Sequence, residues 1–441
     1  MRQGAGRYQS ARERSKFLHL VETAQTRRDH FRQPRSLPGG RYDDRPVLNE
    51  RRTFVVVVIA ATALRLAHTA TSLGSTDAYL WTLWVGLLDQ VGVLRSYRYD
   101  EFVNHPPLAL AIAQACGKLG TAIGLQFVDV FRGLQAAADI VTAGALVRIA
   151  ARAGSHGIRS AAAIAFLLSP GAIFISGFHC NSDPLMMMFV ALAAAAALSE
   201  RPIASGIFFA AAIGIKIVPL LLGPLFLVVA FREARTRTRF LGAAAVVSAL
   251  IFVPALVVNG PLFIQRVFGY SGMVRGWGLP VVGYVLEKTF GWSGLTTASL
   301  TMLPFIEIAA VLVIAILAWR RGLGPESLPQ LLGTTLLVVL VLAPGFGLQY
   351  LFWPLPFLWF ALRRPLPLAI HGAIGAYLFG VYTAWSGGWP WWYAERAGSI
   401  EISRLLSTLA GGLWGILAVG AVVALRQAFA MPSEQNVEQR T

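Results

Sequence analysis

Residues Ser75–Leu110 read STDAYLWTLWVGLLDQVGVLRSYRYDEFVNHPPLAL and follow the first long apolar run of the chain. The stretch begins with an acid, Asp77, and continues as an amphipathic segment rich in Trp. It then becomes polar and closes on the pair Pro106–Pro107. A polar, acid-bearing loop of this length is not needed to hold apolar helices together. It therefore indicates a catalytic loop at the surface of a membrane.

The composition is that of a membrane protein. Of 441 residues, 56% are hydrophobic and 14% are charged, and the mean hydropathy is +0.59. Soluble domains carry about 25% charged residues, so we predict an all-α polytopic membrane protein. The formal charge of +16 does not indicate nucleic-acid binding, because 13 of the 38 Lys and Arg lie in residues 1–52 and most others flank apolar runs. The two cysteines, Cys116 and Cys180, are too few for a disulfide framework and could pair only if both face outward.

Apolar runs bounded by basic loops predict about twelve transmembrane helices with both termini in the cytoplasm. Residues 1–52 are expected to be a disordered basic tail, residues 53–426 the membrane domain, and residues 427–441 a second cytoplasmic tail. The expected helices are about 53–70, 127–150, 160–178, 185–199, two short helices within 203–231 that meet near Lys216 and Pro219, 240–258, 299–320, 328–344, 351–363, 366–385 and 404–425.

The first outer loop, about 71–126, is expected to carry interfacial helices. Pro106–Gly120 has about fifteen residues, fewer than the roughly twenty that span a bilayer. The helix after it must enter from the outside to reach a basic cytoplasmic loop, so this segment is interpreted as interfacial or half-inserted. In the first helix Arg65 and His68 lie on one face. Charged groups at that depth seldom face lipid, so both are expected to face the bundle or a wet cavity.

The unusual polar residues gather on the side opposite the basic loops. They are Asp77, Asp100, Glu101, His105, His179, Asn181, Asp183, Lys216, Arg266, Arg275, Gln349 and Tyr350. Acids, imidazoles and cations that converge beside a membrane indicate a site for a phosphate-bearing group on a lipid carrier. Arg suits bidentate phosphate contacts, and Lys acts as a point charge.

Five segments, in this order and on one side, resemble the glycosyltransferase C superfamily, whose members are integral membrane enzymes that use polyprenyl-phosphate-linked sugars. The segments are Asp77 after the first helix; Tyr97, Tyr99 and His105 with Pro106–Pro107; SPGAIFISGFHCNSDPLM at Ser169–Met186; Lys216 with Pro219; and Gln349–Tyr350 with Trp353 and Pro356. The resemblance is nearest to dolichyl-phosphate-hexose-dependent glucosyl- and mannosyltransferases and their bacterial polyprenol-dependent relatives. Two departures stand out. The first loop lacks an Asp-x-Asp, which argues against an obligatory metal, and the absence of a late His-x-His-Glu-Lys argues against a eukaryotic-type substrate.

The resemblance implies an inverting transfer in which an acceptor hydroxyl displaces the lipid phosphate from the anomeric carbon. Asp77 is then expected to be the general base, and Lys216, Arg275 and Arg266 to contact the leaving phosphate. The other expected substrate contacts are Arg65, Tyr99, Asp100, Glu101, His105, His179, Asn181, Asp183, Gln349 and Tyr350. No cofactor or metal is expected. The expected partners are a polyprenyl-phosphate sugar, with mannose favoured, a lipid or glycan acceptor, and the membrane, but no nucleic acid. The expected location is a bacterial inner membrane, with the site on its periplasmic side.

Several of these residues also fit a structural role. Asp77 could cap the helix that follows it, Asp100 and Glu101 could form a solvated turn, and Lys216 could be an ion-pair partner. His179 and Asn181 could cap the next helix together with Asp183, and Arg266 and Arg275 could contact lipid headgroups. The aromatic residues of 389–393 fit an interfacial belt better than a sugar platform.

A flippase or transporter for a polyprenyl-linked glycan is the alternative for the whole protein. It would explain charged residues inside the membrane without any chemistry. The long acid-bearing loop and the lack of a visible internal repeat favour the enzyme, since many transporters are built from repeats.

Overall fold

The computed structural model describes residues 45–154, 159–270, 277–395 and 400–430. The chain divides into two compact units, Met1–Arg51 and Arg52–Thr441. Of the first unit, only 45–51 lie within the described residues, and their backbone is helical. The remainder of the predicted basic tail lies outside the described residues, and so does most of the predicted C-terminal tail.

Helices make up almost all of the described chain. The helices are α1 (Arg45–Ala70), α2 (Thr76–Val91), α3 (Val93–Ser96), α4 (Pro107–Ile123), α5 (Phe127–Arg152), α6 (Arg159–Leu167), α7 (Pro170–Phe174), α8 (Asp183–Leu198), α9 (Pro202–Ile215), α10 (Ala234–Phe263), α11 (Gly278–Phe290), α12 (Leu295–Arg320), α13 (Leu328–Leu342), α14 (Leu358–Ala361), α15 (Leu366–Ser386) and α16 (Ile400–Phe429), and the strands are β1 (Gly74–Ser75) and β2 (Tyr393–Ala394).

Seven helices in the described ranges are long and apolar enough to cross a bilayer, or eight if the bent pair α6–α7 counts as one span. The seven lie in α1, α5, α10, α12, α13, α15 and α16. An all-α polytopic membrane protein is therefore confirmed, whereas the expected twelve spans are not. The segment predicted to be interfacial or half-inserted, about 106–120, forms α4, a 17-residue apolar helix.

Two expected helices are broken at prolines. The span predicted at about 160–178 bends by 49° between α6 and α7, because the residue before Pro170 is disfavoured in the helical region and Ser169 is extended. The prediction of a continuous helix at about 351–363 was wrong. That stretch instead contains 3₁₀ turns at Leu348–Phe352 and Leu355–Phe357 before the four-residue α14. Pro354 and Pro356 remove backbone donors that a regular helix would need there.

The break predicted near Lys216 is confirmed. α9 ends at Ile215, and Lys216 itself is extended with φ −153° and ψ 145°. The chain after it is not a second regular helix, because 3₁₀, α and π turns succeed one another over 218–230. The outer loop expected at 259–298 also contains α11, which the sequence did not predict.

A short parallel strand pair joins the segment after α1 to the segment after α15. Gly74 pairs with Tyr393 and Ser75 with Ala394. Gly74 has φ +93°, and a Cβ there would lie 2.8 Å from the carbonyl oxygen of Phe178. Only glycine fits that approach, so the backbone just before Asp77 is held against the turn that carries His179.

Small residues let the inner helices pack closely. The Ala-rich α8 packs against α5 and α9, and α9 packs against α10. A Cβ on Gly206 would lie 2.3 Å from the carbonyl oxygen of Phe240, so α9 and α10 meet backbone to backbone at that point. Cys116 and Cys180 are both buried and free, so the disulfide that the sequence allowed does not form.

Arg65 faces the bundle interior, as predicted, but it contacts protein groups there. Its Nε donates to Asp139 Oδ2 at 2.8 Å and to Ser176 Oγ at 3.0 Å, and its Nη1 donates to the carbonyls of Leu167 and Ala61. The side chains of Arg65 and Asp139 are 1% and 0% exposed. This buried ion pair joins α1, α5 and the broken α6–α7 span.

Asp139→Ala is expected to destabilise the fold by about 3–5 kcal/mol, because it leaves a buried guanidinium without its counter-charge. The paired variant Arg65→Met with Asp139→Leu removes both charges and should cost less than the single change. Reversible unfolding in mixed micelles measures the difference. A single variant as stable as the wild type would contradict the account of this pair.

Candidate active site

Asp77 lies in the first turn of α2, held by the residue that caps this helix. Ser75 is the N-cap, and its Oγ accepts the backbone N–H of Asp77 at 3.2 Å. The same hydroxyl donates to the carbonyl oxygen of His179 at 2.7 Å and lies 3.1 Å from its Nδ1. Because Ser75 performs the capping, the Asp77 carboxylate is not used for that purpose.

Two side chains on one turn converge on a single carboxylate oxygen. His179 Nε2 lies 3.2 Å from Asp77 Oδ2, and Asn181 Nδ2 donates to the same oxygen at 2.5 Å. Gln349 Oε1 lies 3.3 Å from His179 Nε2. Nε2 thus faces two acceptors, which assigns a proton to it. Among the described residues, nothing hydrogen-bonds to Asp77 Oδ1.

The turn that presents these groups is irregular. Ile175–His179 form a π turn, and Cys180 between the two functional residues has φ +66°. A non-glycine residue in the left-handed region costs free energy and is found most often where function demands it. Here it reverses the chain within one residue, so that His179 and Asn181 reach the same oxygen.

The surroundings keep Asp77 ionised. Burial alone would raise the pKa of its carboxyl group, but the His179 imidazole, the Asn181 amide and the more distant Lys216 outweigh burial and bring the pKa to about 2. The side chain is nevertheless 28% exposed. Asp77 is therefore a carboxylate at neutral pH that a ligand can still reach.

A second buried carboxylate anchors the cation of the site. Asp183 is fully buried, and its Oδ2 accepts from Lys216 Nζ at 2.7 Å while its Oδ1 accepts from Trp353 Nε1 at 2.5 Å. Lys216 Nζ also lies 5.1 Å from the centre of the Tyr350 ring, which stacks on Trp353. Lys216 is thus an ion-pair partner, as the structural alternative held. An ammonium has three donors, however, and the side chain remains 13% exposed, so it can also contact a ligand.

Tyr270 lines two cavities. The smaller has a volume of about 110 Å³ and contains Asp77, His179 and Gln349 in its wall. The larger has a volume of about 400 Å³, and Lys216, Tyr350 and His105 line it together with mostly apolar side chains. The polar residues predicted to converge are thus divided between a small carboxylate pocket and a wider, largely apolar chamber.

His105 lies in the wall of the larger cavity between two indole rings. Its ring centre lies 4.6 Å from that of Trp81 and 5.5 Å from that of Trp84. Burial, reinforced by the positive charge of Lys216, lowers the pKa of His105 to about 3. The imidazole is therefore neutral at physiological pH and presents one donor and one acceptor.

Glu307 is a lining residue that our sequence reasoning missed. It lies in the middle of α12, a candidate span, and lines the larger cavity together with Lys216 and His105. No hydrogen bond or ion pair reaches it from the residues described. A lone acid within the apolar run 295–320 was a visible signal, because ionisable side chains inside a membrane segment are functional candidates.

Other predicted contacts lie away from both cavities. Tyr99 is 64% exposed and Glu101 is exposed. Asp100 forms a turn, since its carboxylate accepts from Trp84 Nε1 and from the backbone N–H of Phe102. Arg266 donates to the carbonyl oxygen of Asp100. Arg275 lies outside the described residues.

The aromatic residues of 389–393 include a buried packing residue as well as exposed side chains typical of an interfacial belt. Trp389 and Trp392 are exposed as a belt requires, but Trp391 is 3% exposed and stacks on His68. Its Nε1 donates to Thr383 Oγ1 at 3.0 Å. This ring packs the loop that bears β2 against α1 and α15.

An ionised carboxylate with an imidazole partner, beside an apolar chamber with a buried ammonium, suits an enzyme that acts on amphiphilic molecules from within the membrane. The family comparison identifies this membrane enzyme more closely. The model of glycosyltransferase family 87 matches residues 102–344, more than half of the chain. The chain therefore belongs to glycosyltransferase family 87, a GT-C-type family that uses polyprenyl-phosphate sugars.

The match confirms the resemblance inferred from the motifs. It includes His105, His179, Lys216 and Glu307, whereas Asp77 and Gln349 lie outside the matched residues. No curated protein is significantly similar to the chain.

His179→Gln is expected to raise the pKa of Asp77, because the imidazole that offsets the effect of burial is lost. Wild-type transfer should show no acid limb from Asp77 between about pH 4 and 7, since its pKa is about 2. In His179→Gln, the transfer rate should fall on the acid side of its pH profile, at a higher pH than in the wild type. Infrared titration of the carboxylate band that is lost in Asp77→Asn measures the same shift directly. His68→Gln, which changes a histidine stacked on Trp391, is the control. An unchanged Asp77 band in His179→Gln would contradict the assignment.

Proposed function

We propose that the protein transfers a hexose, with mannose favoured, from a polyprenyl-phosphate sugar to a lipid-linked or glycan acceptor. The transfer inverts the anomeric centre, and Asp77 is the general base. The observation that supports this most strongly is a pair of cavities that share Tyr270 as a lining residue, one with the Asp77 carboxylate and the other with the Lys216 ammonium in its wall.

The shapes of the cavities suit the two ends of such a donor. The larger one is mostly apolar, as a polyprenyl chain requires, and the Lys216 ammonium in its wall suits the phosphate. The smaller one has the polar lining that sugar hydroxyls need, with Ser75, His179 and Gln349 as hydrogen-bonding groups. Family membership supports the same donor class.

The proposed reaction has one bond made and one broken. The acceptor oxygen forms a bond to the anomeric carbon from the face opposite the phosphate, and the bond from that carbon to the phosphate oxygen breaks. The phosphate leaves with the electron pair, and Lys216 stabilises its growing charge. The acceptor proton passes to Asp77. The products are the new glycoside, inverted at its anomeric centre, and polyprenyl phosphate.

A carboxylate with a pKa of about 2 is a weak base towards a neutral hydroxyl. The hydroxyl becomes strongly acidic only once its oxygen has begun to bond to the anomeric carbon. We therefore place proton transfer late in the reaction, when Asp77 is basic enough. Its ionised state has a second use, because a negative charge stabilises the oxocarbenium-like carbon of a glycosyl transfer.

The site is proposed to face the periplasm or the exterior of a bacterial inner membrane, with both termini in the cytoplasm. The basic loops support this orientation through the positive-inside rule. A sugar carried on a polyprenyl phosphate suits that side, because the lipid brings an activated donor to a compartment without soluble nucleotide sugars.

Asp77→Asn is expected to lower the transfer rate by roughly 10²–10⁴-fold, the range typical of a general base, while donor binding remains. The purified protein in nanodiscs would be offered radiolabelled polyprenyl-phosphate mannose, glucose or arabinose with a membrane lipid extract as acceptor. Asp89→Asn makes the same change at an exposed position of the same helix and should be nearly neutral.

Either of two results would reject this proposal. Near-normal transfer by Asp77→Asn would remove the residue from the role of base. Lack of product from every donor, together with movement of lipid-linked sugar between liposome leaflets, would favour the flippase.

Transfer is expected to persist in a chelator of divalent cations. The first loop lacks an Asp-x-Asp, and Lys216 offers a positive charge for the leaving phosphate. Rates would be compared with and without chelator, and then with added Mg²⁺ or Mn²⁺. Activity that disappears in chelator and returns with a cation would show that a metal is required.

A further inference from the structure

A third cavity lies at the end of the bundle remote from Asp77. Its volume is about 360 Å³, within the roughly 300–1,000 Å³ typical of small-molecule sites. It is lined by Gln330, Trp359, Phe360, Leu362, Arg363, Arg364 and Gln427. The proposed transfer reaction uses none of these residues.

The ends of three candidate spans place this cavity at a membrane boundary. Arg363 and Arg364 lie just before α15, Gln330 lies near the start of α13, and Gln427 lies near the end of α16. α15 has 21 residues and is therefore about 30 Å long, and Trp385 near its other end lines the Asp77 pocket. The third cavity and the active site thus lie at opposite ends of one spanning helix.

Every polar side chain that lines this cavity can donate a hydrogen bond. Five of its lining side chains bear N–H groups, and none is a carboxylate. Neither Arg363 nor Arg364 has an ion-pair partner within the described ranges. The Arg364 guanidinium lies 4.6 Å above the ring centre of Trp359, which fixes one cation at the cavity wall.

One buried donor in this wall lacks a partner. Trp359 is 8% exposed, and its indole N–H makes no hydrogen bond to any described residue. A buried N–H without an acceptor costs free energy, so a ligand oxygen would stabilise this arrangement. Gln427 accepts the backbone N–H of Arg363 at 3.1 Å through its Oε1, which leaves its amide NH₂ as a further donor.

We infer that this cavity binds the phosphate headgroup of an anionic phospholipid. Guanidinium groups bind phosphate oxygens in pairs, and the indole and amide N–H groups supply neutral donors. Phe360 and Leu362 provide an apolar wall for the glycerol and upper acyl chain. The level of the cavity, just outside a candidate span, is where such a headgroup lies. The site is distinct from the donor-binding cavities and does not depend on the proposed reaction.

Native mass spectrometry of the delipidated full-length protein tests this inference. The probes are phosphatidylglycerol, phosphatidylcholine and inorganic phosphate, each titrated separately. The protein should retain one phosphatidylglycerol more tightly than phosphatidylcholine. Arg363→Gln with Arg364→Gln should weaken that binding by roughly tenfold or more, the effect expected for losing hydrogen bonds to a charged group.

Two further variants separate the site from general surface charge. Arg235→Gln with Arg237→Gln removes two exposed arginines from the start of α10 and should leave the tight lipid bound. Trp359→Phe keeps an aromatic ring beneath Arg364 but removes the orphan N–H, and should weaken binding several-fold.

Three outcomes would overturn the inference. Equal retention by the wild type and the Arg363/Arg364 variant would show that the two guanidinium groups are not the ligands. Equal loss in the Arg235/Arg237 variant would reduce the effect to net charge. Displacement of the lipid by inorganic phosphate at a similar concentration would assign the cavity to a free anion.

Discussion

The buried carboxylate of Asp183 is the constraint on which the rest of the site depends. A fully buried charge is tolerated only when it is paired and hydrogen-bonded. Both oxygens of Asp183 are satisfied from far along the sequence, one by Lys216 and one by Trp353. Those partners lie where the helical path is interrupted, at the end of α9 and within the 3₁₀ turns before α14. Pairing this one acid therefore brings three irregular segments together.

Irregular backbone is what delivers the functional side chains. Groups in the body of a regular helix are directed sideways at fixed angles, and they could not converge on one carboxylate oxygen from a single turn. The π turn that ends at His179, the left-handed Cys180 and the extended Lys216 each break that pattern. Such backbone is tolerated at membrane depth only where protein or a cavity surrounds it, and here the two cavities adjoin it.

The charge of each ionisable group in the site is set by its immediate neighbours. Asp77 is ionised because a histidine and an amide face it, and His105 is neutral because burial and a nearby ammonium disfavour its charged form. Arg65, one of the expected substrate contacts, pairs with Asp139 instead. The Lys216 ammonium and the Asp77 carboxylate thus lie in the walls of different cavities. Under the proposed reaction, this arrangement allows a phosphate near one and a hydroxyl near the other.

The sequence by itself determined the membrane class, the family and most of the polar residues of the site. Hydropathy and loop charge can be judged from residues that are neighbours along the chain. The break at Lys216 was predicted from such residues. Pro170 was an equally local signal, but the segment around it was predicted as one continuous helix. Only the tertiary structure decided which charges pair. The contacts of His179 with Gln349 and of Trp353 with Asp183 each join residues 170 positions apart. No local pattern encodes such a distance, and so Arg65 was assigned to the substrate rather than to Asp139. Glu307 was missed for a different reason, because the local signal of a lone acid in an apolar run was overlooked. Pairing depends on which helices are neighbours in the bundle, and the packing of small residues across α5, α8 and α9 settles that.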